Sequence, residues 1–221
     1  MKKLSLWLFP LLTSLLLAGS ATAHVALDFP VGGETFGVGD TVNIQWHVVV
    51  PHAQENWDLH FSPDGGANWE PIQLDMPVSQ LSFLWIVPPV VTEQAQVRIV
   101  QDNTGTDYED ISGDFTIQDA TTPEEIDDLA IAVENDNIHL WWTEPSDDVG
   151  VIRYVIYRNT VAHSLGDSVA GTTDTSYTDV NAAGTAGINY FYGIKAVDAA
   201  GNKSEGSNMV GEFDQSLSNG R

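Results

Sequence analysis

The sequence predicts an all-β protein of two β-sandwich domains behind a cleaved signal peptide. Three observations carry this. The chain opens with a basic, then apolar leader. Beyond the leader come short runs of alternating apolar and polar residues cut by Gly, Pro, Asn and Asp, with no segment of helical period. A polar, acidic stretch, "QDATTPEEIDD" at 118–128, divides those runs into two groups.

Lys2 and Lys3 start the leader, Leu4 to Leu17 form its apolar centre, and Ala21-Thr22-Ala23 offers small residues where a signal peptidase cuts. Residues 1–23 are therefore set aside, and the mature chain is expected to begin at His24. Cleavage after Ala21 is the alternative and would leave Thr22 first. The apolar centre is too short for a membrane span, so no membrane contact is expected after cleavage. Removing 23 of 221 residues, two of them Lys and none acidic, leaves 198 residues and takes the net charge from −23 to −25. Such a field repels nucleic acid and anionic membranes, and it draws cations. There is no cysteine, so neither disulfides nor thiolate chemistry are available. The expected location is secreted, periplasmic or extracellular.

Within residues 24–118, "TVNIQWHV" puts Val42, Ile44, Trp46 and Val48 on one strand face and Asn43, Gln45 and His47 on the other. "WDLHF" turns Trp57, Leu59 and Phe61 inward, and "SFLWIV", "AQVRIV" and "DFTI" come after it. About seven such strands make an antiparallel sandwich. Between two strands, "SPDGGANW" (62–69) fits a Ser-x-Asp-x-Gly-x-x-Trp hairpin. Asp64 is expected to accept from turn N–H groups, and Gly65 and Gly66 to permit positive φ. The spacing matches the Asp-box of sialidases. One copy, with four arginines in the whole chain, points to a structural hairpin. The opening "FPVGGETFGVGDTVNIQW" resembles small immunoglobulin-like modules of secreted proteins, including the Kre9/Knh1-type wall domains, which implies an immunoglobulin-like fold and no particular activity.

Residues 119–125 read as a linker, 126–212 as the second domain and 213–221 as a polar tail. In the second domain Leu140 and Trp142 share a strand, Pro145 and Asp147 lie in the loop after it, and Tyr154 and Tyr157 lie on the next strand. Tyr190 and Tyr192 lead into Ala196-Val197-Asp198, with Gly201-Asn202 at a turn. Together these resemble a fibronectin type III domain, which implies a spacer or binding module. Trp141 falls opposite Leu140 and Trp142 and is expected at the surface, as are His139 and His163. Trp46, Trp57 and Trp85 are expected in the core.

No Ser-His-Asp order, nucleophile elbow, phosphate loop or dinucleotide fingerprint occurs, so no catalytic residue is assigned. The acids of "DNTGTDYEDISGD" (102–114), namely Asp102, Asp107, Glu109 and Asp110, offer oxygen ligands for Ca²⁺ without EF-hand spacing; a solvated loop is the competing reading. Four of six histidines lie between residues 24 and 60. A mature N-terminal His presents two nitrogens to one ion, its amine and its ring. A second His would complete the three-nitrogen "histidine brace" that resembles the copper sites of lytic polysaccharide monooxygenases and related copper carriers. In an immunoglobulin-like topology the start of the first strand, the end of the second and two loops share one pole. His24 and His52 are therefore expected to meet there as metal ligands, with Tyr108 or an acidic neighbour near the axial direction, His47 as a further candidate and His60 too far along the third strand. The sequence reading is thus a secreted protein that binds copper at its mature N-terminus. The alternatives are a metal-free adhesion or carbohydrate-binding protein of the envelope, whose partner is a polysaccharide or envelope protein, and a copper-dependent oxidative enzyme acting on a polysaccharide.

Overall fold

The computed structural model describes residues 24–183 and 187–212; the leader and the tail expected at 213–221 lie outside these. The described residues form sixteen strands and no helix, so none of them makes a helix long and apolar enough to cross a membrane.

The first half pairs two sheets. β1 (Val25–Phe29), β3 (Thr41–Val48) and β6 (Ser82–Ile86) make a three-stranded sheet in the order β1-β3-β6. The facing sheet contains β2 (Thr35–Gly37), β4 (Gln54–Ser62), β5 (Glu70–Met76), β7 (Thr92–Asn103) and β9 (Phe115–Gln118) in the order β2-β9-β7-β4-β5, with β8 (Tyr108–Ile111) also paired to β7. The expected alternation on β3 holds: Val42, Ile44 and Trp46 are buried while Asn43, Gln45 and His47 are exposed. The same parity on β4 buries Trp57, Leu59 and Phe61. The Trp46 and Trp57 rings meet edge to face at 5.9 Å, one from each sheet, so the core lies between the layers. Burying an aromatic or large aliphatic side chain there contributes about 1.5–3 kcal/mol.

The second half has three strands facing four. β10 (Ala130–Glu134), β11 (Asn137–Trp141) and β14 (Ser176–Asp179) oppose β12 (Val151–Asn159), β13 (Asp167–Thr172), β15 (Phe191–Asp198) and β16 (Val210–Gly211), in orders β10-β11-β14 and β13-β12-β15-β16. Three strands facing four in this order agree with the β-sandwich expected for the second domain. The buried apolar residues separate into two clusters, one drawn from residues 25–117 and one from 126–196. Trp85 joins the first at 6% exposure, and Trp141 stands out from the second at 47%.

The expected linker, 119–125, is more engaged than its polarity suggests, and the residues that follow it enter the second domain as its bounds imply. Pro123 is buried, Ile126 and Leu129 enter the second core, and the Glu124 N–H donates to the Ser146 carbonyl at 3.0 Å. Every third residue, Pro123, Ile126 and Leu129, turns inward, a pattern that the surrounding acids hide.

The Asp-box hairpin joins β4 to β5 as expected. Asp64 accepts from Ser62 Oγ, the Asn68 backbone N–H and Asn68 Nδ2, at 2.8, 2.8 and 2.6 Å. The Asn68 bonds, then the Ser62 hydroxyl, hold its carboxyl below the usual range. Gly66 sits at φ 84°, and a Cβ there would lie 3.0 Å from Gln96 Oε1 and 3.4 Å from the Trp69 ring. The Arg98 guanidinium covers that ring at 4.6 Å. This is a turn closed by its own side chains, which gives Asp64 a structural task.

Candidate site at the N-terminal pole

Backbone pairing places His24, the expected first residue after cleavage, at the site. β1 runs antiparallel to β3 with Val25 opposite Val48, so His24 lies just beyond the last β3 residue. Its carbonyl accepts from the Val49 and Val50 N–H groups at 2.9 and 3.1 Å. On the other side β1 lies alongside β8, where Asp110 Oδ2 accepts the Leu27 N–H at 2.8 Å. Tyr108 and Asp110 are two apart on β8 and share a strand face. With Asp110 fixed against Leu27, Tyr108 is carried back toward His24.

His52 comes from the loop between β3 and β4. That loop is tied to the β7–β8 turn by the Thr104 N–H, which donates to the Ala53 carbonyl at 3.1 Å, and by the pairing of Gln54 with Asn103. Three rings then converge. His24 stacks on Tyr108 with centroids 3.7 Å apart and planes 22° from parallel. His52 stacks on Tyr108 at 4.8 Å and 26°. The two imidazoles lie 4.8 Å apart, tilted by 47°. His52 is exposed and the other two are half-buried, so the group is open to solvent on one side.

The donor chemistry can be tested against these distances. Imidazole nitrogens bind metals at about 2.0–2.1 Å, so two rings on opposite sides of one ion have centroids roughly 6 Å apart and two at right angles roughly 4.4 Å apart. The observed 4.8 Å suits adjacent ligands. The T-shaped brace, with its rings opposed, requires His52 to swing outward, which its exposed loop position leaves room for. Tyr108 lies against the imidazole faces, out of the plane in which nitrogen lone pairs point. It orients the rings and leaves their donor edges free. Among the described residues no group of three or more His, Cys, Asp or Glu side chains is gathered closely enough to hold a metal. The third donor would have to be the backbone amine of a chain that begins at His24.

His47 does not join this group. It pairs with Ala26 across the strands, and its Nδ1 is drawn to Asp28 Oδ1 at 2.9 Å. His60, expected to lie apart, is opposite Arg98 on the neighbouring strand; burial, then the Arg98 charge, lowers its pKa. His163 is exposed, and His139 is half-buried with Nδ1 2.9 Å from Thr178 Oγ1.

The acidic segment 102–114 is not the open loop expected. Asp102 lies within β7, and β8 begins at Tyr108, leaving a turn of residues 104–107. Its acids go to separate partners. Asp102 accepts from Asn56 Nδ2 at 2.9 Å, Asp107 from the Asn103 N–H at 3.0 Å, and Asp110 from Leu27, while Glu109 faces Arg98 at 3.6 Å. They do not assemble a Ca²⁺ cage. Asp110 was the residue to find: its same-face spacing to Tyr108 signals an anchor for the first strand.

No family model matches the chain. It is 38% identical to an amylopullulanase of Thermoanaerobacter thermohydrosulfuricus over 96 residues, which cover 43% of this chain and 6% of that protein. It is 40% identical to chitinase D of Niallia circulans over 78 residues, covering 35% of this chain and 13% of that one. The chain thus spans a small fraction of the curated relatives that it matches. Among solved structures, the FN1–FN3 domains of chicken CNTN1 align with a TM-score of 0.38 and 20% identity, covering 81% of this chain and 62% of that chain.

Proposed function

We propose that the chain is a secreted binding protein whose mature N-terminus holds one Cu²⁺ ion. The ligands are the His24 amine, the His24 ring and the His52 ring, with Tyr108 as the shelf that orients both imidazoles. The observation that carries this reading is the convergence of His24, His52 and Tyr108 within 4.8 Å of one another. Nitrogen donors of this kind favour Cu²⁺ over the other first-row divalent ions, and the acidic surface raises the local cation concentration.

The test is calorimetric titration of Cu²⁺ into the mature protein, with its first residue established by mass. One equivalent is expected to bind. An added Ala before His24 removes the amine chelate and is expected to weaken binding at least tenfold. His52→Ala is expected to do the same, and His139→Ala to change nothing. Equal affinity in the Ala-extended form would reduce His24 to a cleavage remnant.

A second reading is favoured by the relatives, whose names denote enzymes acting on pullulan-type glucans and chitin. In it the protein is a metal-free extracellular module that binds polysaccharide, with the exposed Trp141 as a stacking surface. Co-sedimentation with insoluble chitin and with starch, undiminished by a metal chelator and lost in Trp141→Ala, would support it over the copper reading.

A further inference from the structure

Two carboxylates, the buried Asp198 and the half-buried Asp147, lie at one pole of the second sandwich, and neither has a counter-charge among the described residues. The segment "DDVG" (147–150) turns from the first sheet toward β12, and "DAAG" (198–201) turns out of β15. Both are Asp-x-x-Gly turns that close on their own aspartate. Asp147 Oδ2 accepts the Val149 N–H at 3.1 Å, and Asp198 Oδ1 accepts the Asn202 N–H at 2.8 Å. Gly150 and Gly201 stand at φ 84° and 92°, the left-handed region that glycine enters without strain. The strand register brings the turns together, because Asp198 pairs directly with Val151, the residue after the first turn.

Each aspartate spends one oxygen on its turn. The other oxygens, Asp147 Oδ1 and Asp198 Oδ2, are buried and have no hydrogen-bond partner. Asp198 as a whole is 0% exposed. Among the described residues neither takes part in an ion pair. An ionised carboxylate in this condition is costly unless it is paired, protonated or bound to a metal. Burial pushes the Asp147 carboxyl up against the lowering effect of the Val149 bond, and the charge of Asp198 pushes it further. Asp198 therefore acts on Asp147 as a like charge.

We propose that Asp147 and Asp198 form a Ca²⁺ site at this pole, each giving the oxygen that its turn leaves free. Calcium accepts a flexible shell of about six to eight carboxylate, carbonyl and water oxygens, so in a weak site the two side chains supply the charge and backbone carbonyls and water complete the shell. The place also suggests a consequence. Asn202, whose N–H closes the Asp198 turn, donates through Nδ2 to the Thr121 carbonyl at 2.8 Å and to the Asp119 carbonyl at 3.2 Å. The Ser146 carbonyl, beside Asp147, holds Glu124. An ion that fixes both turns thereby fixes the stretch that enters the second sandwich. This site shares no residue with the copper reading and does not depend on it.

The experiment titrates CaCl₂ into the metal-free mature protein at pH 7.5 and follows binding by calorimetry and unfolding by differential scanning calorimetry. One Ca²⁺ is expected, with Kd on the order of 10⁻⁴–10⁻³ M, the range of extracellular modules. At about 100 times Kd, the transition of the second sandwich is expected to rise by roughly 15 °C. Asp147→Asn and Asp198→Asn are each expected to abolish both responses, and without calcium to be at least as stable as the parent, because the repulsion is relieved. Asp174→Asn, an exposed acid elsewhere, is the charge-matched control and is expected to retain both. Should Asp198→Asn fail to fold, Asp147→Asn in the half-exposed loop still decides. A calcium response shared by all four proteins would show diffuse attraction to the acidic surface and overturn the site. No calcium response in the parent, with stability that rises on acidification in the parent but not in Asp147→Asn, would show a shared proton in place of the ion and overturn it equally.

Discussion

Replacing Tyr192 by Phe removes one oxygen from the best-connected polar group in the second sandwich. Tyr192 is completely buried, and its hydroxyl donates to Asp179 Oδ2 at 2.8 Å. Arg158 Nη1 donates to the same oxygen at 2.8 Å. Arg158 and Tyr192 face each other across β12 and β15, whereas Asp179 ends β14 in the opposite sheet. The group therefore ties the two layers together in a chain that has no disulfide. A hydrogen bond to a charged group contributes about 1.5–3 kcal/mol. Asp179 keeps Arg158 in the variant, and the Arg158 side chain is 31% exposed, so water softens part of the loss and the low end applies. A cost of about 2 kcal/mol corresponds to a fall of roughly 10 °C in the transition of a domain this size. Asp179→Ala strands both donors and is expected to cost more, about 3–5 kcal/mol. Urea unfolding followed by tryptophan fluorescence measures both, and pairing each change with Arg158→Met in a double-mutant cycle isolates the coupling. A Tyr192→Phe loss below about 0.5 kcal/mol would refute the view that this bond joins the sheets. Burial and the Asp179 bond also raise the Tyr192 pKa far above its ordinary value, so the phenol is expected to stay silent in an alkaline spectrophotometric titration until the fold is lost.

Three other outcomes rest on the same structure. His60 has a folded pKa below its unfolded value of about 6.5, so the unfolded chain takes up the proton first; its contribution is whole above pH 6.5 and is lost as the pH falls toward the folded pKa. His60→Gln is therefore expected to flatten the decline in urea midpoint between pH 8 and 5.5, and an unchanged slope would remove His60 as its source. The two apolar clusters are separate, so residues 24–118 and 119–212 are expected to fold when expressed alone, each with its own calorimetric transition. A second fragment begun at residue 124 is expected to melt lower, because Asn202 loses its partners at Asp119 and Thr121. Failure of either longer fragment to fold would mean that the halves depend on each other.

The fold was legible because each long strand is half-buried, and period-two patterning is strongest in such strands. β3 and β4 could be assigned face by face from sequence alone. β2 and β8 could not. They are three and four residues long, none of their side chains is fully buried, and β8 turns its one aliphatic residue, Ile111, outward, so no apolar alternation marks them. Missing β8 made residues 102–114 look like one acidic loop, when the strand in fact sends its acids to different neighbours. The approach to the second sandwich was hidden differently. Its inward residues come every third position without regular hydrogen bonding, and Glu124, Glu125, Asp127 and Asp128 between them set the apparent character of the stretch.

The meeting of His24, His52 and Tyr108 was legible from topology, since strand order alone decides which ends share a pole. What topology left open was how firmly His24 is held. Chain termini ordinarily fray, and a frayed amine would bear an ordering cost on binding an ion. Here the His24 carbonyl is caught by two N–H groups from the β3 side, while three residues on, Leu27 is caught by Asp110 from the β8 side. The backbone at His24 is thus clamped between two strands before any ligand arrives. Cleavage after Ala23 would free an amine at this clamped position. Cleavage after Ala21 would leave the ring pair as it is but move the amine to Thr22, two residues beyond the clamp. The two mature forms thus share every side chain of the site and differ only in whether the third nitrogen is pre-organised. Copper affinity measured on both separates the contribution of the chelate from that of the rings.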